Sequence, residues 1–214
     1  MVLSEAKLAR ELDSLSQHFR DLAATKPPQG FSLKDECFLE GLLSRVWQAW
    51  CVFCRSCVIK SCVGTVNHSG AIIPALPQAA SEAHVSAAAI HAKARRSPPY
   101  WGKCNTLLRK EPTWGDVDVL AHVLTCLRPA NSQQLLAAFS SSHASAKVLQ
   151  VIRNGAAHNH HQNLDEILKL RSAHIASQIG HPTHAMFWIE PSSKDYLVMQ
   201  AIQELKDAGL AAIS

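Results

Sequence analysis

The middle of this 214-residue chain is nearly without carboxylates. None occurs from Gly41 to Ser81, from Ala83 to Lys110, or from Val119 to Leu164. Across residues 41–164 there are 12 Lys and Arg against 4 Asp and Glu, while residues 1–40 carry 5 against 7 and residues 165–214 carry 4 against 6. Buried, charge-poor helices would account for the missing acids but not for so one-sided a remainder. A region of this kind attracts a phosphodiester backbone. Other absences narrow the field. The most apolar window, Val46 to Cys54, lies between Arg45 and Arg55, far short of the roughly 20 apolar residues of a membrane span. The charged, amphipathic opening MVLSEAKLARELDSL is not a signal peptide. Seven cysteines, an odd number, fit a reduced cytoplasmic protein better than a disulfide framework. Strand-like alternation, a phosphate-binding glycine loop and internal repeats are all missing.

What is present reads as helices. Leu8, Leu12, Leu15, Phe19 and Leu22 recur at spacings of three and four, which predicts an amphipathic helix over 4–24. Ser32 and Asp35 form a capping-box pattern that opens a long helix over 33–63. Its apolar residues fall on nearly every side from Val46 onward, the mark of a central helix. A loop is expected over 65–80, with further helices over 81–96, 114–127, 132–139 and 144–158. Asn163 and Glu166 read as a cap for a helix reaching Ile175, Ala185–Ile189 as a short strand or extended arm, and 194–208 as a last helix stopped by Gly209. The fold class is all-α. The expected division is an N-terminal helix and linker at 1–32, a helical domain at 33–176, and a C-terminal arm and helix at 177–214 packed on that domain.

Three groups of residues suggest chemistry. Cys51, Cys54, Cys57 and Cys62 have ligand-like spacing, but within a continuous helix their sulfurs rotate about the axis instead of converging, which favours packing over metal binding. His158, His160 and His161, or His181 and His184, are the other candidates; the nearest acids to the first three are Asp165 and Glu166, whereas metal hydrolases normally add carboxylates. No metal or cofactor is therefore expected. The run from His91 to Lys110 holds six Lys/Arg, Tyr100 and Trp101 without an acid, a combination suited to single-stranded nucleic acid. The same run also fits a helix C-terminus whose dipole favours Lys93, Arg95 and Arg96, with Trp101 anchoring the loop.

The stretch VIRNGAAHNHHQ (151–162) carries the most specific pattern. On a helix Asn154 and His158 share a face, and Arg153 sits about 100° to the side on a long stem. Gly155 costs about 1 kcal/mol relative to alanine inside a helix, and with Ala156 and Ala157 it offers a smooth side for another backbone. A helix fraying into a polar turn accounts for the same residues. IRNGAAHNH resembles the Arg-Asn-x-x-x-His signature of the HEPN superfamily, all-α domains in which an Arg-x4–6-His motif occurs in many ribonucleases. The long helix with Trp47, Trp50, Phe53 and Arg55 is also similar to the aromatic-rich long helix of several HEPN families, and the resemblance spans roughly residues 33–176. In members regulated by adenylylation a tyrosine follows the His by two positions; here that position is His160.

The resemblance implies a HEPN-like helical bundle with a long central helix and an endoribonuclease built from Arg153, Asn154 and His158. It also implies a homodimer, and the context of a toxin–antitoxin or phage-defence system with its antitoxin or other partner protein. The chemistry is intelligible from the residues themselves. RNA carries its own nucleophile, the 2′-OH. A histidine can move protons near neutrality, an arginine can hold phosphate oxygens through the transition state, and no metal is needed. Arg95, Arg96, Lys103, Lys147 and His160 are the expected RNA-binding residues. The alternative is a HEPN-like module that binds RNA, nucleotide or a partner protein without catalysis.

Overall fold

A computed structural model describes residues 1–25, 27–95, 98–102, 110–158 and 160–214. Among the described residues it is all-α apart from one small ladder and isolated bridges from Ile189 to Ile175 and Tyr196. The helices are α1 (Val2–Ala23), α2 (Leu33–Val63), α3 (Glu82–Lys93), α4 (Val117–Leu127), α5 (Ser132–Ser141), α6 (His143–Ala157), α7 (His161–Lys169) and α8 (Leu197–Ile213). Two-residue strands β1 (Thr65–Val66) and β2 (Ile72–Ile73) pair antiparallel inside the segment expected to be loop. Among the described residues no helix is long and apolar enough to cross a membrane.

Helix α2 begins at the capping box read from the sequence: Ser32 N–H donates to the Asp35 carboxylate at 2.7 Å. It packs against α1, α3, α6 and α8, and the full burial of Leu39, Leu43, Val46, Trp50, Cys54, Cys57 and Val58 follows from having neighbours around it. Cys54, Cys57 and Cys62 are buried within this helix. Burial pushes the Cys57 and Cys62 thiols up to about 12, so they sit in the core as small protonated hydrophobes.

Three expectations about the later chain are corrected. Gly209 does not stop the last helix, which runs on to Ile213. A Cβ at Gly209 would lie 3.0 Å from Leu8 and 3.7 Å from Phe53, so the glycine lets α8 approach α1 and α2 closely. Carbonyls at the C-terminal end find donors elsewhere: His68 N–H bonds Ile213 O at 2.7 Å, and Gln134 Nε2 bonds Ser214 O at 2.6 Å. Residues 185–189 are no arm. Ala185, Met186, Phe187 and Trp188 are buried in and just after a 3-10 turn at Pro182–Phe187, with the Phe187 ring 4.6 Å from that of Phe19. Asn163 does not open α7, which begins at His161. Its side-chain amide instead donates to the carbonyl of His158 at 2.8 Å and so closes the end of α6.

Candidate functional site

The motif residues ride on the last turn of α6, which packs against α2, α7, α8 and the 182–187 turn. Helix α6 ends at Ala157, and His158 adopts φ −137°, ψ 95° while its N–H still bonds Asn154 O at 2.9 Å. The His158 ring is therefore exposed just past the helix. Arg153 points the other way, toward α2, and is half-buried. It lines a cleft of about 60 Å³ with Glu40, Leu43, Ser44, Ala156 and Ala157. Its Nη1 reaches Asn154 Oδ1 only at 3.4 Å, and its Nε is buried without a hydrogen-bond partner. Among the described residues no carboxylate lies within ion-pair distance of Arg153. The structure thus brings Arg153 and Asn154 together. His158 lies one helical turn beyond Asn154 and is not part of the wall of that cleft.

Gly155 has an intramolecular reason. A Cβ there would lie 2.5 Å from Ile167 Cδ1 of α7 and 3.5 Å from Pro182, and Ile167 is fully buried. The space beside Gly155 is filled by Ile167 and Pro182 of this chain, so the glycine does not need another backbone to explain it, while Ala157 remains exposed. On this side Gly155, His160, Leu164, Ile179, Gly180, His181 and Pro182 line a second pocket of about 100 Å³. His160 is exposed at its rim.

A pair of acids that sequence proximity could not reveal completes this region. Glu40 Oε1 lies 3.3 Å from His181 Nε2, and Glu36 Oε1 lies 3.4 Å from His184 Nε2. The two glutamates are spaced by four on α2 and the two histidines by three on the facing turn. The i, i+4 pattern of Glu36 and Glu40 was the available signal; the partners lie more than 140 positions downstream. Burial pushes the His184 imidazole below the ordinary histidine value, with Glu36 opposing and His181 adding to the shift.

The other expected RNA contacts are scattered. Lys147 is exposed on α6, two turns before the motif. Arg95 is exposed just beyond α3 with φ 56°, on a helix that packs against α2 and α4. Arg96 and Lys103 lie outside the described residues. Lys93 Nζ caps the Glu111 carbonyl at 3.3 Å, and Tyr100 is exposed with its ring 5.5 Å from that of His91. Arg55, part of the aromatic-rich helix pattern, is paired: its Nε and Nη2 donate to Glu111 at 2.7 and 2.9 Å. Ser86 Oγ and Trp114 Nε1 donate to the same carboxylate at 2.6 and 2.9 Å. Burial works against the Glu111 charge, but these donors outweigh it and hold its carboxyl below the usual range.

A groove of about 300 Å³ between α1 and α2 is larger than either pocket beside α6. It contains no motif residue, and of its charged residues Arg45 and Glu11 are bonded to each other while Lys7 also lines it. Among the described residues no group of three or more His, Cys, Asp or Glu is placed to hold a metal ion. No family model matches the chain, and no curated protein and no solved structure is similar to it.

Proposed function

We propose that the chain acts on RNA at the end of α6, as a metal-independent endoribonuclease that uses the 2′-OH as nucleophile. The observation that carries this reading is Arg153: a half-buried guanidinium whose buried Nε has no hydrogen-bond partner and which, among the described residues, makes no ion pair, although Glu40 lines the same cleft. Leaving such a donor unsatisfied costs about 1–3 kcal/mol or more, and a phosphate oxygen is the ligand that would remove the cost. Asn154, hydrogen-bonded to Arg153, can orient the guanidinium or a phosphate oxygen. His158, exposed one turn away, is the proton carrier. Cleavage would leave a 2′,3′-cyclic phosphate or 3′-phosphate and a 5′-hydroxyl, and DNA would stay intact. A HEPN-like architecture, a homodimer and a role as the toxin or effector of a defence system belong to the same proposal and rest on the motif alone.

A second reading is favoured by one feature, the outward turn of His158 away from the cleft that Arg153 lines. On that reading the same end of α6 binds RNA or nucleotide without cutting it. Purified protein incubated with total RNA in EDTA separates the two. The ribonuclease reading expects cleavage by wild type, phosphate at the 3′ ends, and loss of cleavage in His158→Ala. Binding without cleavage supports the second reading, and 3′-hydroxyl products or a strict metal requirement overturn the proposed chemistry.

A further inference from the structure

We propose that residues 178–184 form an acid-sensitive latch, fastened to α2 by two histidine–glutamate contacts and closed over the last turn of α6. The proposal does not rest on the ribonuclease reading. Glu36 and Glu40 on α2 meet His184 and His181 in register, at 3.4 and 3.3 Å, and the two imidazole rings lie 6.0 Å apart. The far nitrogens are also occupied. Gly180 N–H donates to His184 Nδ1 at 3.3 Å, and Thr183 N–H donates to His181 Nδ1 at 3.4 Å. A backbone N–H can only donate, so His184 Nδ1 is an acceptor in a neutral ring whose proton sits on Nε2, facing Glu36, while His181 Nδ1 lies nearer the Thr183 hydroxyl, at 2.8 Å.

A second proton on the His184 ring must go to Nδ1. There it opposes a backbone N–H and breaks one of the bonds that hold the turn in shape. The surroundings weigh against that proton at His184. It is 6% exposed, it stands beside His181, and the Phe31 ring covers it edge-on at 5.8 Å. From α2, Glu36 favours the charge, but His184 Nε2 makes no hydrogen bond despite its nearness. His181 faces Glu40 from α2, has Thr183 on its own turn, and shares its pocket with His160. Arg153 of α6 lines the cleft on the far side of Glu40.

The sign follows from linkage. His184 titrates below the ordinary histidine value of about 6.5 when the latch is closed, so the open form takes the proton first. Latch stability is complete above about pH 6.5, declines as pH falls from there toward the depressed value, and stays low beneath it. Opening would lift Pro182 from Gly155 and widen the pocket that His160, Leu164 and Ile179 line. Ala185 to Trp188, deep in the core, would stay in place.

Hydrogen exchange on the full chain at about pH 7.5 and about pH 5, corrected for intrinsic rates, tests this. Protection of the Gly180, Thr183 and His184 amides should drop at the lower pH, about tenfold for each pH unit by which the closed latch depresses His184. Amides in the middle of α2 should keep theirs. The double variant His181→Gln/His184→Gln offers an amide N–H to each glutamate and cannot be protonated, so its protection should be the same at both pH values. Equal wild-type protection at the two pH values overturns the latch. So does a loss that extends through α2, or a pH response that survives in the double variant. If that variant does not fold, a ring titration of wild-type His184 by NMR decides: a midpoint below 6.5 supports the latch, and one at or above it overturns the proposal.

Discussion

Arg55 on α2 and Arg153, which faces α2 from α6, are both partly withdrawn from water, but they are answered differently. Arg55 meets a carboxylate with two nitrogens, and Ser86 and Trp114 complete the shell around Glu111. Arg153 meets only the Asn154 amide, at 3.4 Å, and keeps a buried Nε with no partner. A network of this kind ties α2, α3 and the approach to α4 together around one carboxylate. An arginine held in place with its donors open fits a site that waits for an anion. The contrast shows why charge counting alone misleads: both residues belong to the same basic stretch of sequence, and only the fold separates the structural arginine from the available one.

The largest expected effect breaks the comparison on the Arg153 side. Arg153→Ala and His158→Ala should each lower RNA cleavage by about 10²–10⁴, while chemical denaturation shows unfolding free energies within about 1 kcal/mol of wild type. Wild-type cleavage rates in either variant would remove that residue from the chemistry. On the other side, Arg55→Ala should cost roughly 3 kcal/mol of stability, because it leaves Glu111 buried and uncompensated, with cleavage per folded molecule unchanged. The same network has a pH signature. Glu111 is held below the usual carboxylate range, so its contribution is complete above about pH 4.3 and is lost as pH falls through the lowered value. Denaturation midpoints from pH 7 to pH 2 should show this loss in wild type and not in Glu111→Gln.

Gly155→Leu should destabilise by about 1–3 kcal/mol through overpacking against Ile167 and Pro182, with sedimentation unchanged. A variant as stable as wild type whose self-association is altered would return the glycine to an intermolecular role. The smallest effect belongs to the scattered basic residues. Arg95→Glu should reduce the slope of log affinity against log salt by about 0.7 for single-stranded RNA, and an unchanged slope would confine Arg95 to ending α3.

Much of this was legible in the sequence, for reasons that also explain what was not. The capping box at Ser32 and Asp35 and the all-round apolar pattern of α2 are local signals, and α2 spans Leu33–Val63 as they predict. Gly209 and Asn163 were misread because each has a local meaning, a helix stop and a helix cap, that a distant neighbour overrides. At Gly209 the neighbours are Leu8 and Phe53; at Asn163 it is the open carbonyl of His158. Glu36 and Glu40 were invisible as partners of the C-terminal histidines because nothing short of tertiary structure joins residues so far apart. The motif triplet itself was found by spacing, but spacing could not tell that Arg153 faces α2 while His158 faces out.

The unpartnered Nε of Arg153 can be examined without cleavage. A 2′-O-methyl RNA oligonucleotide has no nucleophile and is titrated against wild type, Arg153→Ala and Arg55→Ala across a series of salt concentrations. A lost charge-assisted contact is worth about 1.5–3 kcal/mol, so Arg153→Ala should bind at least about tenfold more weakly, with a salt slope smaller by about 0.7. Folded Arg55→Ala should bind as wild type does. Equal affinity and slope for wild type and Arg153→Ala would mean that no phosphate answers Arg153, and the site would have to be sought elsewhere on the molecule.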